Sequence, residues 1–333
     1  MHPMLYLFAL LPGLVTLAGL GLGGLWSWGA VALIFGICPV LDGVVGGGGP
    51  RQRARQTSGP AWVANAILAL TLPLCLSAVA MLWWRASVGQ FTLIEWIGAI
   101  LSVGICLGVY GLNVGHELGH RGGRWGKWSA FLLMGSSLYA HFWVEHNLGH
   151  HVNVATPEDP ASAERGEWVY GFWARSVVGG ARSALALAPR WVGAAWLVQL
   201  LVLGGVAIGI GWAAALAWVA AAVVGVLLLE TVNYVEHYGL RRRRLADGRY
   251  ERVSPMHSWN SEHRVGRALL FDLPRHADHH AHPRRSCHEL RYFAQSRQLP
   301  AGYPTMILTA LAPPVFHMWM DSALKAENAV PER

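Results

Sequence analysis

Six apolar runs, each long enough to cross a bilayer as a helix, divide this chain, and they limit its fold more than any other feature. They are Leu5–Leu25, Trp28–Val45, Trp62–Trp84, Phe91–Val114, Trp191–Ile210 and Ala213–Leu229. A span takes roughly 20 apolar residues, and a helix satisfies its own backbone polar groups where no water can. The chain therefore reads as an all-α integral membrane protein with six transmembrane helices. Apolar residues make up 53% of it and charged residues only 14%, which excludes an ordinary soluble domain. The tryptophans gather near the ends of the runs, where interfacial belts form.

The first run lacks a basic segment ahead of it and is followed almost at once by the second, so it is expected to stay as a span. Positive charge is unevenly placed. Arg51, Arg53 and Arg55 separate the second and third runs, Arg121, Arg124 and Lys127 follow the fourth, and Arg241–Arg244 follow the sixth. The other turns carry Arg85 alone, so both termini are expected in the cytoplasm. The net charge of +7 then needs no nucleic acid, because arginines beside spans serve topology and anionic lipid. The organisation is one domain over residues 1–333, with a cytoplasmic cap from 115–190 and 231–333.

Nine histidines fall into four clusters beside these runs: His116/His120, His146/His150/His151, His237 and His276/His279/His280. His116 and His120 are four apart, which on a helix lets both rings meet one ion. Their segment, HELGH, is also the zinc-protease motif with Glu117 as general base. A protease needs only one further ligand and leaves the other clusters without a role. His146 and His150 repeat the four-residue spacing, with His151 free to turn toward a second ion, and His276, His279 and His280 stand at i, i+3 and i+4. A tetrahedral site takes four ligands and an octahedral one six, so nine, if all are used, imply two metals. His2, His141, His257, His263, His282, His288 and His317 read as ordinary hydrogen-bonded residues.

Carboxylates flank these clusters. Glu117, Glu145, Glu236 and Asp278 each neighbour a boxed histidine and are expected to accept its far N–H, whereas Glu158 and Asp159 suit a helix cap or an arginine pair. Between the first two clusters, Trp128–Val144 is apolar but short of a span. A crossing there would part His116 from His146, so the stretch must dip and return or lie along the interface. Cys38, Cys75, Cys106 and Cys287 show no CxxC spacing, and no dinucleotide fingerprint is present, so the sequence shows no electron-transfer module of its own.

The segments Asn113–His120 (NVGHELGH), Glu145–His151 (EHNLGHH), Val154–Ser162 (VATPEDPAS), Asn233–Leu240 (NYVEHYGL) and His257–Pro283 carry a resemblance. In them the chain resembles the membrane alkane 1-monooxygenase family, a branch of the histidine-box di-iron hydroxylases and desaturases. The resemblance implies that all nine boxed histidines bind two non-haem irons. It also implies terminal hydroxylation of n-alkanes in a bacterial-type inner membrane, with O₂ and two electrons from a rubredoxin served by an NAD(P)H-dependent reductase. Rubredoxins are acidic, which makes Arg121, Arg124 and Arg241, Arg242, Arg243 and Arg244 the expected docking surface. Ile34 and Phe35 lie where relatives carry bulkier aromatics thought to bound the substrate cavity. The chemistry agrees, since an unactivated C–H bond offers no acid, leaving group or electrophile to acid–base catalysis. The rival readings are a xylene-type aromatic methyl monooxygenase, a membrane zinc metalloprotease built on HELGH, and a metal transporter. The transporter expects ionisable residues near the bilayer midplane, and these spans are almost free of them.

Overall fold

The computed structural model describes residues 2–47, 59–89 and 91–328; Arg51, Arg53 and Arg55 lie outside them. Six helices are long and apolar enough to span: α1 Pro3–Leu22, α2 Gly24–Val45, α3 Ala61–Val88, α4 Leu93–Gly119, α8 Pro189–Gly209 and α9 Trp212–His237. The chain is a multi-pass membrane protein. Of the most apolar window of α4, 78% is buried, against 22–44% for the other five, so α4 is the central helix. Small residues let α9 close on it. A Cβ on Gly104 would lie 2.4 Å from Val224 Cγ1, and one on Gly108 would lie 2.7 Å from Leu228 Cδ2. The outward faces carry Leu197, Leu200, Leu201, Ile208 and Leu216, as lipid contact requires.

Two spans run further than their apolar residues suggest. The sixth run stops at Leu229 by hydropathy, yet α9 continues to His237, because Glu230, Asn233, Glu236 and His237 are all buried against the cap rather than in lipid. Likewise α4 extends to Gly119 and carries the HELGH segment on its end.

The short apolar stretch after α4 is a re-entrant hairpin. Its descending arm, α5 (Arg124–Ser136), packs back along α4, with Met134 Cγ 3.0 Å from the Cβ position of Gly115. Ser137 at the tip donates to Leu107 O at 3.2 Å, and Trp218 Nε1 of α9 donates to Ser136 O at 2.7 Å. The returning arm, α6 (142–153), brings His146, His150 and His151 back up to the level of His116. The dip-and-return alternative is the one the chain adopts.

The cap is more helical than its polar composition suggests. Val169–Leu187 forms α7, His276–Ala281 forms α11, and Tyr303–Ala310 and Pro313–Asn328 form α12 and α13, with a short α10 at Arg264–Leu269. Two parallel two-residue strands, β1 Trp259–Asn260 and β2 Arg297–Gln298, pin the loop that follows α11.

Hydrogen bonds tie this cap to the first two spans, and buried ion pairs hold the cap segment that receives them. Tyr6 of α1 donates to Asp272 at 2.7 Å, and Asp42 of α2 accepts the backbone N–H groups of Val265 and Gly266 at the start of α10. Arg267 bridges Asp272 and Glu262 at 2.6 and 2.8 Å, and Arg275 grips both oxygens of Glu262 at 3.0 Å. Breaking a buried pair by removing one partner leaves an uncompensated charge. Arg275→Met should therefore destabilise the protein by about 3–5 kcal/mol, read as a lowered midpoint of thermal unfolding in detergent. An unchanged midpoint would mean that the cap does not depend on this grip.

Candidate metal centre

The nine boxed histidines come together as two groups, His116/His120/His146/His151/His279 and His150/His237/His276/His280, within each of which the candidate ligand atoms lie within 4.8 Å of one another. The groups abut, with the His151 ring 4.4 Å from that of His280. Four helices supply them: α4, α6, α9 and α11.

Local backbone geometry decides the partition. His116 and His120 share an α-helical face, and so do His276 and His280, whose Nε2 atoms are 2.9 Å apart. Residues 145–150 instead form a π-helical turn, in which the fifth residue along comes into register. His146 consequently meets His151, Nε2 to Nε2 at 2.9 Å, and not His150 as the four-residue spacing suggests. His150 turns to the other group, and His279 leaves its helical neighbours to join His116 at 2.8 Å and His151 at 3.2 Å.

These spacings fit a metal. Two neutral imidazoles can face each other through Nε2 at such distances only with a proton or a cation between them. Burial pushes the pKa values of His146, His151, His276, His279 and His280 well below the usual histidine range and that of His120 to about 4, so these rings stay neutral, the form that offers a lone pair to a metal. Metal–nitrogen bonds of about 2.05 Å place two ligands about 2.9 Å apart at a right angle and about 3.3 Å apart at the tetrahedral angle. The observed contacts of 2.8 to 3.2 Å fall in the range of two nitrogens that share one ion.

Carboxylates surround the groups, but only some touch a boxed ring. Asp159, suited by sequence to a cap or an arginine pair, accepts from His150 Nδ1 at 2.9 Å and is itself fixed by Ser162 and Ala161 N. Burial disfavours charge on His150, yet the Asp159 carboxylate outweighs it and holds the pKa up at about 9. The PEDPAS turn exists to deliver that carboxylate, and its dense Pro/Asp/Ser composition was the available signal. Glu236 Oε2 lies 3.2 Å from His276 Nε2, while Oε1 accepts from Tyr303 at 2.5 Å; no motif marked Tyr303.

The remaining expected carboxylates serve other contacts. Glu117 accepts from Arg121 at 2.7 Å and from Cys287 N at 3.0 Å, tying α4 to the loop after α11. It is no free general base. Asp278 takes His282, Arg285 and Arg291 N, and so holds that same loop. Glu145, with its pKa raised to about 8 by burial, lines a small polar cavity with Tyr139, His141 and Glu230. Its Oε1 has no partner among the described residues. His2, His141, His257, His263, His282 and His317 lie outside both groups with protein partners of their own.

A small apolar cavity of about 60 Å³ reaches the four-histidine group through Glu236. Ile34, Val109, Leu228, Val232 and Leu269 form much of its wall, with Asn113, Glu236 and Tyr303 as its polar members. Ile34 is where a substrate-bounding residue was expected. Phe35 packs against the main core and is not part of this wall.

Residues 90–310, which contain all nine histidines, match the fatty acid desaturase family. The chain is also 37% identical to alkane 1-monooxygenase 2 of Pseudomonas aeruginosa, over 91% of this chain and 85% of that protein. The chain belongs to the alkane 1-monooxygenase family. An alkane 1-monooxygenase of Acinetobacter baylyi is 32% identical over 89% of this chain and 76% of its own length. The xylene/toluene monooxygenase hydroxylase component of Pseudomonas putida is more distant, 27% identical over 90% of this chain and 83% of its own. The chain is a monooxygenase of this membrane family, with histidine groups suited to metal.

Removing the charge behind a metal-ligating ring typically costs 10- to 100-fold in affinity. Asp159→Asn should weaken metal binding by roughly that factor at the four-histidine group and spare the five-histidine group. Metal titration followed by absorbance would then resolve one weakened and one unchanged step. Equal weakening of both steps would show that Asp159 acts on the fold and not on His150.

Proposed function

We propose that this protein hydroxylates the terminal carbon of n-alkanes, with two non-haem irons held by the nine histidines. The observation that carries the proposal is the pairing of two metal-fitting imidazole groups with a largely apolar cavity at their edge. The overall reaction balances as RH + O₂ + 2e⁻ + 2H⁺ → ROH + H₂O. Two irons would supply the activation of dioxygen that C–H cleavage demands.

The chain's own residues do the rest. His116, His120, His146, His151 and His279 would hold one iron, and His150, His237, His276 and His280 the other. Asp159 accepts from Nδ1 of His150, so an iron would take the place of the proton on Nε2. Tyr303 holds Glu236 beside His276, at the point where the cavity meets the histidines. The leucine, isoleucine and valine wall excludes water and admits a chain that already partitions into lipid.

The alkane reading is preferred to the aromatic methyl reading because the named alkane relatives reach 37% identity and the xylene/toluene relative 27%. Reconstituted protein given O₂, a reductant and either n-octane or p-xylene decides between them. The proposal expects 1-octanol as the main product and slower p-xylene oxidation; faster conversion of p-xylene would replace it with the aromatic reading. Ile34→Trp should shorten the longest alkane oxidised, since an indole fills space in the cavity wall. Gas chromatography of products from a chain-length series reads this directly, and an unchanged cut-off in a folded variant removes Ile34 from chain-length control.

Electrons are proposed to come from an acidic rubredoxin, itself reduced by an NAD(P)H-dependent reductase, at the cytoplasmic face of a bacterial inner membrane. The same face would hold both termini, by the placement of Arg121, Arg124, Lys127 and Arg241–Arg244. Arg121 is spent on Glu117, so the docking reading rests on Arg124 and on the run after α9. There Arg241 pairs with Glu164 and Arg243 with Glu251, while Arg242 donates to the carbonyl of Val152, next to His151. Replacing all four arginines by Gln should raise the apparent KM for the donor. It should also flatten the salt dependence of the rate, as screening shortens from about 10 Å at 0.1 M to about 3 Å at 1 M. Donor oxidation kinetics across a salt series test it, and a wild-type slope in a correctly inserted variant would assign the run to topology alone.

A further inference from the structure

Outside the histidine centre, a groove of about 420 Å³ runs between the descending arm of the hairpin and span α8. Arg124, Lys127, Trp128 and Phe131 of α5 form one wall, and Trp191, Ala194, Ala195 and Val198 of α8 form the other. Both sets follow the i, i+3, i+4, i+7 pattern, so each helix offers one continuous stripe to the groove. Trp143 of the returning arm closes its base; its ring centroid is 5.3 Å from that of Trp191, and Trp191 is 6.1 Å from Phe131.

The two ends of the groove differ in chemistry. At the mouth, Arg124 and Lys127 are exposed and make no side-chain hydrogen bond or ion pair among the described residues. Below them the walls are aromatic and aliphatic, and they descend about 10 Å along each helix, at 1.5 Å per residue over seven residues. Ala194 and Ala195 keep the α8 side hollow where a larger residue would fill it. A paired cationic mouth over an apolar, aromatic-lined trough, at the level where Trp125 and Trp128 mark the membrane interface, matches an anionic headgroup above an acyl chain.

We propose that this groove is a binding site for one anionic phospholipid. Arg124 and Lys127 hold its phosphate, and an acyl chain lies between Phe131, Trp191 and Val198. Its position also gives the lipid a bearing on the centre. Trp143 at the base donates to Gly119 O at 3.1 Å, next to His120, and leads through Val144 and Glu145 to His146. The occupied groove would therefore brace the hairpin that carries His146, His150 and His151.

The test measures retained and competing lipid on the full chain in detergent, by native mass spectrometry and by thermal stabilisation, with phosphatidylglycerol and phosphatidylcholine as probes. Wild-type protein should retain phosphatidylglycerol in preference to phosphatidylcholine and unfold at a higher temperature with it. The double variant Arg124→Gln/Lys127→Gln should bind phosphatidylglycerol roughly 30-fold more weakly, the expected loss for two cations near a membrane surface. Ala194→Trp, which leaves the charges in place and fills the trough, should also lose the preference. Arg249→Gln/Arg252→Gln, with two cations removed away from the groove, should keep it. The proposal is overturned if wild type shows no preference, if both groove variants retain it, if the Arg249/Arg252 control loses it equally, or if inorganic phosphate stabilises the protein as well as the lipid does.

Discussion

Nine imidazoles held edge to edge in a protein interior at a membrane are the constraint on which the rest of this structure depends. Their Nε2 atoms converge, and those of His120 and His150 find no hydrogen-bond partner among the described residues, so a cation in each group would satisfy lone pairs that the protein leaves open. Two consequences follow. The helices that carry the rings must be fixed from outside the site, and the rings must be divided among ions of limited coordination number.

The fixing comes from both sides of the centre. On one side α4 is wedged among the other spans, with Gly104 and Gly108 letting α9 approach closely enough to set His237 against His276 and His280. On the other side, Asp42, Asp272, Glu262, Arg267 and Arg275 anchor the loops before α11 to α1 and α2. The first two spans lie far from the histidines in sequence, yet they hold the platform that presents His276, His279 and His280. The division comes from the π-helical turn at residues 145–150, which separates adjacent rings into different groups.

The spans were legible because lipid tolerates little but apolar residues, and the histidine clusters were legible because so many imidazoles at matched spacing have few other uses. Helix ends were not. Hydropathy stops at Leu229, but Glu230, Asn233 and Glu236 continue α9 because the cap, and not lipid, receives them. The assignment of His150 and His151 was hidden for a related reason: a four-residue spacing assumes an α-helix, and one wider turn reverses which ring faces which ion. Asp159 reaches His150 from a turn further along the chain, and Tyr303 reaches Glu236 from α12, so immediate neighbourhood in sequence pointed to Glu117 and Asp278 instead. Those two carboxylates hold the loop that follows α11.

The central claim is that the two histidine groups are two iron sites with imidazole ligation. The most direct measurement is metal analysis of the purified chain combined with iron X-ray absorption. The account expects about two irons per chain, one for each group, with a first coordination sphere dominated by nitrogen at about 2.0–2.2 Å. A single tightly held zinc per chain, with no iron taken up on reconstitution, would contradict it.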